Sequence, residues 1–480
     1  MYRCIIFAII QYAMFILPHM TSTCDATRDK ISLLAKELHE VSDGREVGNF
    51  AATTYFARKF SAHCGGSDWK NAYAMVHRRA RAQSVRTNDI LAARHHHQRL
   101  AVSVAVEAGL ADRVIGTLSI FFYALFSDRA LHLVTYSELP GFETALSPVD
   151  EHVDWRLSGG IDDELIDVLK YTYKGVRGYA GDRSYDRAVI DTSKFWPVYM
   201  VNDFDAADEL LGLQRKEPKE GTPHFSNFDM RESPRGHGET PVVVLSSNRG
   251  RAFRLFESPQ YRQKLFDFGL RPETCIACAF HYLFRPNAQV EELYGDTFRL
   301  LSDNSILKIG IAVRVGDEVF GGGDEGQEES HLWSIAEPYF DCASQIESTR
   351  AQAGQRVLIY FISESLKLRQ LAKKRFGEKI LTDTSTTYDH PADRTLLCDD
   401  KHEKCATDKL GRAMQHAVGQ VLAFSMADFH VYTSASGFGR LGAWLNFGWH
   451  HLYAIEKGRR KCGLADYDLL REDSAKWAGM

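Results

Sequence analysis

The sequence predicts an α/β protein built around a parallel, doubly wound sheet, and three features point to it. Short apolar strands recur through the last third, at Leu307–Val313, Val357–Ile362, Lys379–Leu381, Phe429–Tyr432 and Leu452–Ile455. A separator between them has helical period: Thr407–Met426 puts Leu410, Met414, Ala417, Val418, Val421 and Leu422 on one stripe, with Thr407 placed to cap it. A second alternation starts after Gly109, where a helix-like Val114–Phe126 precedes the strand Leu131–Thr135. Strands alternating with helices favour parallel pairing, and ligands of such sheets bind outside the carboxyl ends of the strands.

Met1-Tyr2-Arg3 precedes an apolar run, Cys4–Leu17, broken only by Gln11 and followed by Pro18 and the small polar Thr21-Ser22-Thr23. Residues 1–23 therefore read as a secretory signal or a short signal anchor, since the run falls short of the ~20 residues a comfortable span needs. Residues 24–105, rich in Ala, Arg and His, read as a helical stem. Within it the triplet His95-His96-His97 is a solvated face, because adjacent helical residues point in different directions. Residues 106–300 then form an N-terminal α/β domain. In it Asp182–Glu239 is polar, punctuated by Gly and Pro, and reads as loop before the β-branched strand Val242–Leu245. Residues 301–480 form a C-terminal Rossmann-like domain, interrupted by Gly321–Gly326, which reads as a mobile acidic loop.

Length and composition exclude several classes. The chain of 480 residues is long enough for two or three domains. With 44% hydrophobic and 25% charged residues it is neither disordered nor a multispan membrane protein. Lys and Arg total 58 against 63 Asp and Glu, a net charge of −5 and the wrong sign for a nucleic-acid partner. Nine cysteines are few for a disulfide scaffold. Cys275/Cys278 and Cys398/Cys405 lack the second pair a zinc ribbon needs, and read as local disulfides or buried thiols. No GxxxxGK[ST] follows a strand, so P-loop chemistry has no foothold, and without a Gly-x-Ser-x-Gly an unrelated hydrolase is the weaker reading. Asp203/Asp205 and Asp466/Asp468 have a chelating spacing that is common by chance, and no metal is expected.

Four strand-end segments carry the chemistry. Gly109-Leu110-Ala111-Asp112-Arg113 opens a turn and sets Arg113 at a helix start suited to an anion. Val313-Arg314-Val315-Gly316-Asp317 ends an apolar strand. A buried Arg314 there needs either a protein carboxylate or a bound phosphate, which its planar fork can grip by two oxygens. Ser363-Glu364-Ser365 ends a strand in small hydroxyls able to hold a ribose or a base edge. Ser434-Ala435-Ser436-Gly437-Phe438-Gly439-Arg440 joins a strand to a helix with hydroxyls and glycines, a recurrent phosphate cradle.

In this order the segments resemble the fucosyltransferase superfamily, which has a GT-B-like fold and includes α1,2-, α1,6- and protein O-fucosyltransferases. Gly109–Gly116 is similar to that family's Gly-x-x-[DN]-Arg-x-x-Gly, and Val313–Asp317 to a strand end whose Arg contacts the donor pyrophosphate. Ser363–Ser365 resembles its Ser-[DE]-Ser, and Ser434–Gly439 its Ser-x-Ser-Gly-Phe-Gly loop. Ser246–Gly250 and Phe284–Pro286 are similar to linking segments, while Ala312 stands where several members have His and Glu364 where Asp is common.

The likeness runs from Gly109 to Ile455 and implies a GT-B-like fold, two Rossmann-like α/β domains behind the helical preface. It implies an enzyme that moves fucose from GDP-fucose to a glycan or glycoprotein acceptor with inversion, without a metal or any cofactor besides the GDP-sugar. On this resemblance Arg314 and Asp317 are catalytic. Gly109, Asp112, Arg113, Ser363, Glu364, Ser365, Ser434, Ser436, Gly437, Phe438 and Gly439 would bind the donor. Arg314 would neutralise the leaving diphosphate, and Asp317 is either the base for the acceptor hydroxyl or a structural ion-pair residue. Acceptor contacts would fall in loops such as Asp182–Glu239 and Gly321–Glu329. The implied compartment is the Golgi or another part of the secretory pathway, with the chain anchored or secreted according to the fate of residues 1–23. Rival readings are a same-fold transferase using another sugar nucleotide, and an inactive lumenal carbohydrate-binding protein. Intact Arg314 and Ser434–Gly439 speak against the inactive form.

Overall fold

Two five-stranded sheets organise the chain. The computed structural model describes residues 51–66, 68–86, 100–105, 109–135, 140–156, 188–192, 196–202, 242–246, 255–256, 259–316, 319–320, 323–324, 326–391, 407–434, 436–448, 451–456 and 462. The N-terminal apolar run, the histidine triplet, both Asp-x-Asp pairs, Asp317 and the pair Cys398/Cys405 lie outside these residues. Among the described residues no helix is long and apolar enough to cross a membrane.

The N-terminal half contains α1 (Ala51–His63), α2 (Asp68–Arg86), β1 (Leu100–Ala105), α3 (Leu110–Phe126), β2 (Ala130–Thr135), β3 (Leu146–Pro148), β4 (Ala188–Thr192), β5 (Trp196–Asn202), β6 (Val242–Ser246), α4 (Pro259–Asp267), α5 (Pro272–Leu283), β7 (Phe284–Pro286) and α6 (Ala288–Leu301). Its sheet runs β2-β1-β6-β5-β4, parallel except for the outer β4, which pairs antiparallel with β5. β4 and β5 correct the expectation of loop across Asp182–Glu239. Trp196, Val198, Tyr199 and Val201 favour a strand over Trp196–Asn202 even though Pro197 lies within it. Helix α3 is apolar on every side and accordingly buried along nearly its whole length, the pattern of a core helix.

The helices expected as a stem pack into this half instead of standing apart from it. Trp69 and Tyr73 of α2 are fully buried against Phe121 of α3, and the amide of Leu131 in β2 donates to the Tyr73 hydroxyl at 2.9 Å. The boundary at residue 105 is thus the end of β1, a strand of the sheet. A disulfide joins Cys64, just past α1, to Cys278 of α5. It rules out a local Cys275–Cys278 bridge, one of the two readings of that pair, while Cys275 on the same helix is a free, buried thiol as the other reading has it. A second disulfide joins Cys342 to Cys462.

The second sheet is made by β8 (Leu307–Val313), β9 (Val357–Ser363), β10 (Ile380–Leu381), β11 (Phe429–Thr433) and β12 (Leu452–Ile455). The intervening helices are α7 (Glu329–Arg350), α8 (Leu366–Phe376), α9 (Thr407–Ser425) and α10 (Gly437–Trp444). All its pairings are parallel, in the order β10-β9-β8-β11-β12. Every residue of the central strand β8 is buried, which is what a continuous apolar run implies for a strand covered on both faces. Gly310 in β8 lets α9 lie close, since a Cβ there would sit 2.7 Å from the Phe424 ring. One apolar core extends from α1 and α3 through α5 and α6 to the α9 and α10 side of the second sheet, and a second lies on the face covered by α7 and α8.

Candidate active site

From β8 the chain adds β9 and β10 on one side and then β11 and β12 on the other, so the strand order reverses between β8 and β11, and ligands of doubly wound sheets bind at such a switch point. The two carboxyl ends are tied together there. The amide of Arg314 donates to Thr433 Oγ1 at 3.0 Å, and Tyr339 Oη lies 2.8 Å from the same oxygen. A cavity of about 490 Å³ opens over this point. Arg314, Glu364 and Ser436–Gly439 line it from the second sheet, and Gly109–Asp112, the start of α3, line it from the first half.

An anion is best served at the start of α10. Ser436 caps the helix, its Oγ accepting from the Gly439 amide at 3.4 Å, and helix geometry leaves the amides of Gly437 and Phe438 without intrahelical acceptors. Gly439 permits this close approach, because an added Cβ would sit 3.0 Å from Tyr432 Cβ and 3.1 Å from Ala312 Cβ. Arg314 stands at the adjacent strand end with its side chain 29% exposed, its guanidinium 4.7 Å from the centre of the Phe320 ring. Arg314, Gly109, Asp112, Ser363, Glu364, Ser436, Gly437, Phe438 and Gly439 are thereby brought to one cavity.

Arg113, Ser365 and Ser434 are not among its lining residues. Arg113 is corrected from anion ligand to buried brace: it is 1% exposed, donates Nη2 to the Pro140 carbonyl at 2.7 Å and lies over Phe142. Its place in the first turn of an otherwise apolar helix turns the side chain into the core. Ser365 caps α8, accepting from the Leu368 amide at 3.0 Å, and its hydroxyl donates to Asp324. Asp324 also accepts the Lys367 amide at 3.0 Å, so a protein carboxylate already fills this helix start. Buried at 2% exposure, Asp324 also anchors the segment expected to be mobile. The Ser434 carbonyl accepts from Arg440.

Glu364 is buried, and its Oε1 accepts from the amides of Val315 at 2.6 Å and Gly316 at 2.9 Å. Burial pushes its carboxyl above the usual range, against the opposing pull of Arg314 and these amides. Arg314 is half-buried rather than buried, and the carboxylate partner expected of it is present at a loose 3.7 Å from Nη1.

Sequence reasoning missed a further set of lining residues: Phe320, Tyr388, Asp389, His390, His416 and Gln420. The turn that carries Tyr388 is built by Asp383, which accepts from the Ser385 amide at 2.8 Å, the Thr386 amide at 3.1 Å and the Tyr388 hydroxyl at 3.0 Å. Burial opposes ionisation of Asp383, yet hydrogen bonds from the side chains and amides of Thr386 and Ser385 hold its carboxyl down at about 2. Buried Arg369 donates to the carbonyls of Asp383 and Thr386 and stacks 4.0 Å from the Tyr388 ring centre. His416 on α9 has Nδ1 3.1 Å from the Tyr294 hydroxyl, and burial lowers its pKa, which favours the neutral ring.

No family model matches the chain, and no curated protein matches it. Among solved structures it is similar to a mutant of Arabidopsis thaliana FUT1 in complex with GDP, at 16% identity and a TM-score of 0.52, over 82% of this chain and 80% of that one. It also matches the fucosyltransferase NodZ from Bradyrhizobium at 12% identity and a TM-score of 0.38, over 75% of this chain and 96% of that one. NodZ α-1,6-fucosyltransferase soaked with GDP-fucose gives 13% identity and a TM-score of 0.39, over 75% and 95%. The likeness to the Arabidopsis enzyme, over four-fifths of both chains, matches what the two sheets and their switch point indicate: this chain has a fucosyltransferase-like GT-B fold.

Proposed function

We propose that the protein is a glycosyltransferase that moves fucose from GDP-fucose to a glycan or glycoprotein acceptor. The convergence of Arg314 with the start of α10 at the switch point carries this reading. Departure of a nucleoside diphosphate concentrates negative charge on its phosphates while the sugar passes through an oxocarbenium-like state, as in glycosidases. A bidentate guanidinium and preorganised amides stabilise that charge as it develops. Attack by the acceptor hydroxyl from the face opposite the diphosphate inverts the anomeric centre, and Asp317 is the proposed base. The GDP bound by the Arabidopsis enzyme supports guanine as the base of the donor. Two disulfides support an oxidising lumen, as in the secretory pathway, with residues 1–23 as signal or anchor.

Calorimetry and thermal melting of the purified protein with GDP, UDP and CMP test the donor class. GDP at a hundredfold excess over its Kd is expected to add ~2.7 kcal/mol of stability, and the other nucleotides far less. A protein that prefers UDP or CMP is a same-fold transferase for another sugar. Binding of GDP-fucose without release of GDP in the presence of any acceptor glycan marks the inactive carbohydrate-binding form.

Donor binding is also expected to survive excess chelator, because Arg314 and the Gly437 and Phe438 amides supply the positive field that a divalent ion gives elsewhere. Titration of GDP in EDTA and in manganese checks this. Affinity lost in EDTA and restored by manganese turns attention to Asp203/Asp205 and Asp466/Asp468 as ligands.

A further inference from the structure

We propose that Glu364 is a positioning residue, whose carboxylate folds the Arg314–Gly316 turn and so aims Arg314 at the cavity. The proposal rests on the reading of Arg314 as the diphosphate partner, and assigns Glu364 a task other than touching the donor. One oxygen, Oε1, meets three groups of a single tripeptide: the Val315 amide at 2.6 Å, the Gly316 amide at 2.9 Å and Arg314 Nη1 at 3.7 Å. A buried carboxylate is costly unless its hydrogen bonds are made, and here the chain after β8 supplies them. The lever is short, since Val313 at the end of β8 pairs with Ser363 at the end of β9. Two backbone donors that a phosphate could use are thereby taken by the protein, which leaves the guanidinium as this turn's contribution to the cavity.

The same junction holds the far end of the loop. Ser365 Oγ and the Lys367 amide both donate to Asp324, and Lys367 Nζ donates to the Gln327 carbonyl. The five residues Ser363–Lys367 thus clasp the loop after β8 at both ends. Between the two clasps lies Phe320, whose ring is 4.7 Å from the Arg314 guanidinium and 5.1 Å from the His390 ring.

The test uses the full chain without ligand first. Arg314 labelling by phenylglyoxal, read by peptide mass mapping, and exchange of the Val315 and Gly316 amides are compared in wild type, Glu364→Ala, Glu364→Asp and Glu364→Gln. Ala removes the acceptor and Asp withdraws it by one methylene, so both are expected to speed labelling and exchange by about tenfold or more, tenfold being the low end for one hydrogen bond to a charged group. Gln keeps a carbonyl oxygen at the same reach, so amide exchange stays slow. Asp serves if the Ala protein fails to fold. Wild-type rates of labelling and exchange in folded Glu364→Ala or Glu364→Asp protein overturn the proposal.

GDP affinity separates this from the donor reading. Glu364→Ala is expected to weaken GDP about tenfold in the wild-type background and much less with Arg314→Ala in place, because it acts through Arg314. An undiminished loss in that background assigns Glu364 to the donor itself and also overturns the proposal. Faster labelling with GDP affinity unmoved by Arg314→Ala leaves Glu364 a positioning residue and removes the diphosphate role of Arg314.

Discussion

Arg314→Lys is expected to lower transfer by about 10²- to 10³-fold, or ~2–4 kcal/mol in the barrier, while the protein stays folded. Lysine keeps one positive charge but replaces a planar fork, able to grip two phosphate oxygens, with a single flexible donor. It also loses the stacking of the guanidinium on Phe320. Folding persists because the turn is held through its backbone: the residue 314 amide bonds Thr433, and the next two amides bond Glu364. Ser436→Ala should cost less, since the Gly437 and Phe438 amides remain at the cavity. Release of GDP from GDP-fucose in the presence of acceptor, GDP affinity by calorimetry and circular dichroism measure the three parts of this expectation. A folded Arg314→Lys protein with wild-type turnover and GDP affinity makes Arg314 only the ion-pair partner of Glu364, and the assignment of this strand end as a donor site fails.

The second sheet was legible because its strands are buried on both faces and so read as unbroken apolar runs. Leu307–Val313 and Leu452–Ile455 have in the structure the bounds expected of them, and the helix expected over Thr407–Met426 runs Thr407–Ser425. In the first half, β4 and β5 were missed because β-branched and aromatic residues there are outnumbered by polar and Gly/Pro neighbours. The site divides in the same way. Arg314 and Ser436–Gly439 could be found because a strand end followed by glycine and hydroxyl residues is a local pattern with a local physical meaning. Tyr388, His390, His416 and Gln420 come from an irregular turn and from the side of a helix read only for its apolar stripe, and nothing local distinguishes them. The errors at Arg113 and Ser365 share one cause. A helix start attracts anions in general, but whether it faces a cavity, the core or another carboxylate is decided by tertiary packing.

Breaking the Cys64–Cys278 bridge is expected to cost about 2–5 kcal/mol of stability, the range for native disulfides. The bridge spans a sequence separation of 214 residues, so the chain it restrains when unfolded is long. It pins the end of α1 to α5, beside His281, which stacks 4.2 Å from Phe56 of α1. The CxxC spacing invites a different pairing, but geometry forbids it within α5. Side chains three residues apart on a helix have Cβ atoms about 5–6 Å apart, whereas a disulfide needs roughly 3.5–4.5 Å. Cys275 stays a thiol, pushed well above its ordinary pKa by burial and by Glu273, and is therefore a poor nucleophile for reshuffling the bridge. Cys64→Ser and Cys278→Ser should lower the urea midpoint by similar amounts, and the double variant by little more than either alone. Cys275→Ser, which breaks no bridge, should cost clearly less. Non-reducing peptide mapping supplies the direct check, and a peptide joining Cys275 to Cys278, or a Cys64→Ser protein as stable as wild type, rules the bridge out.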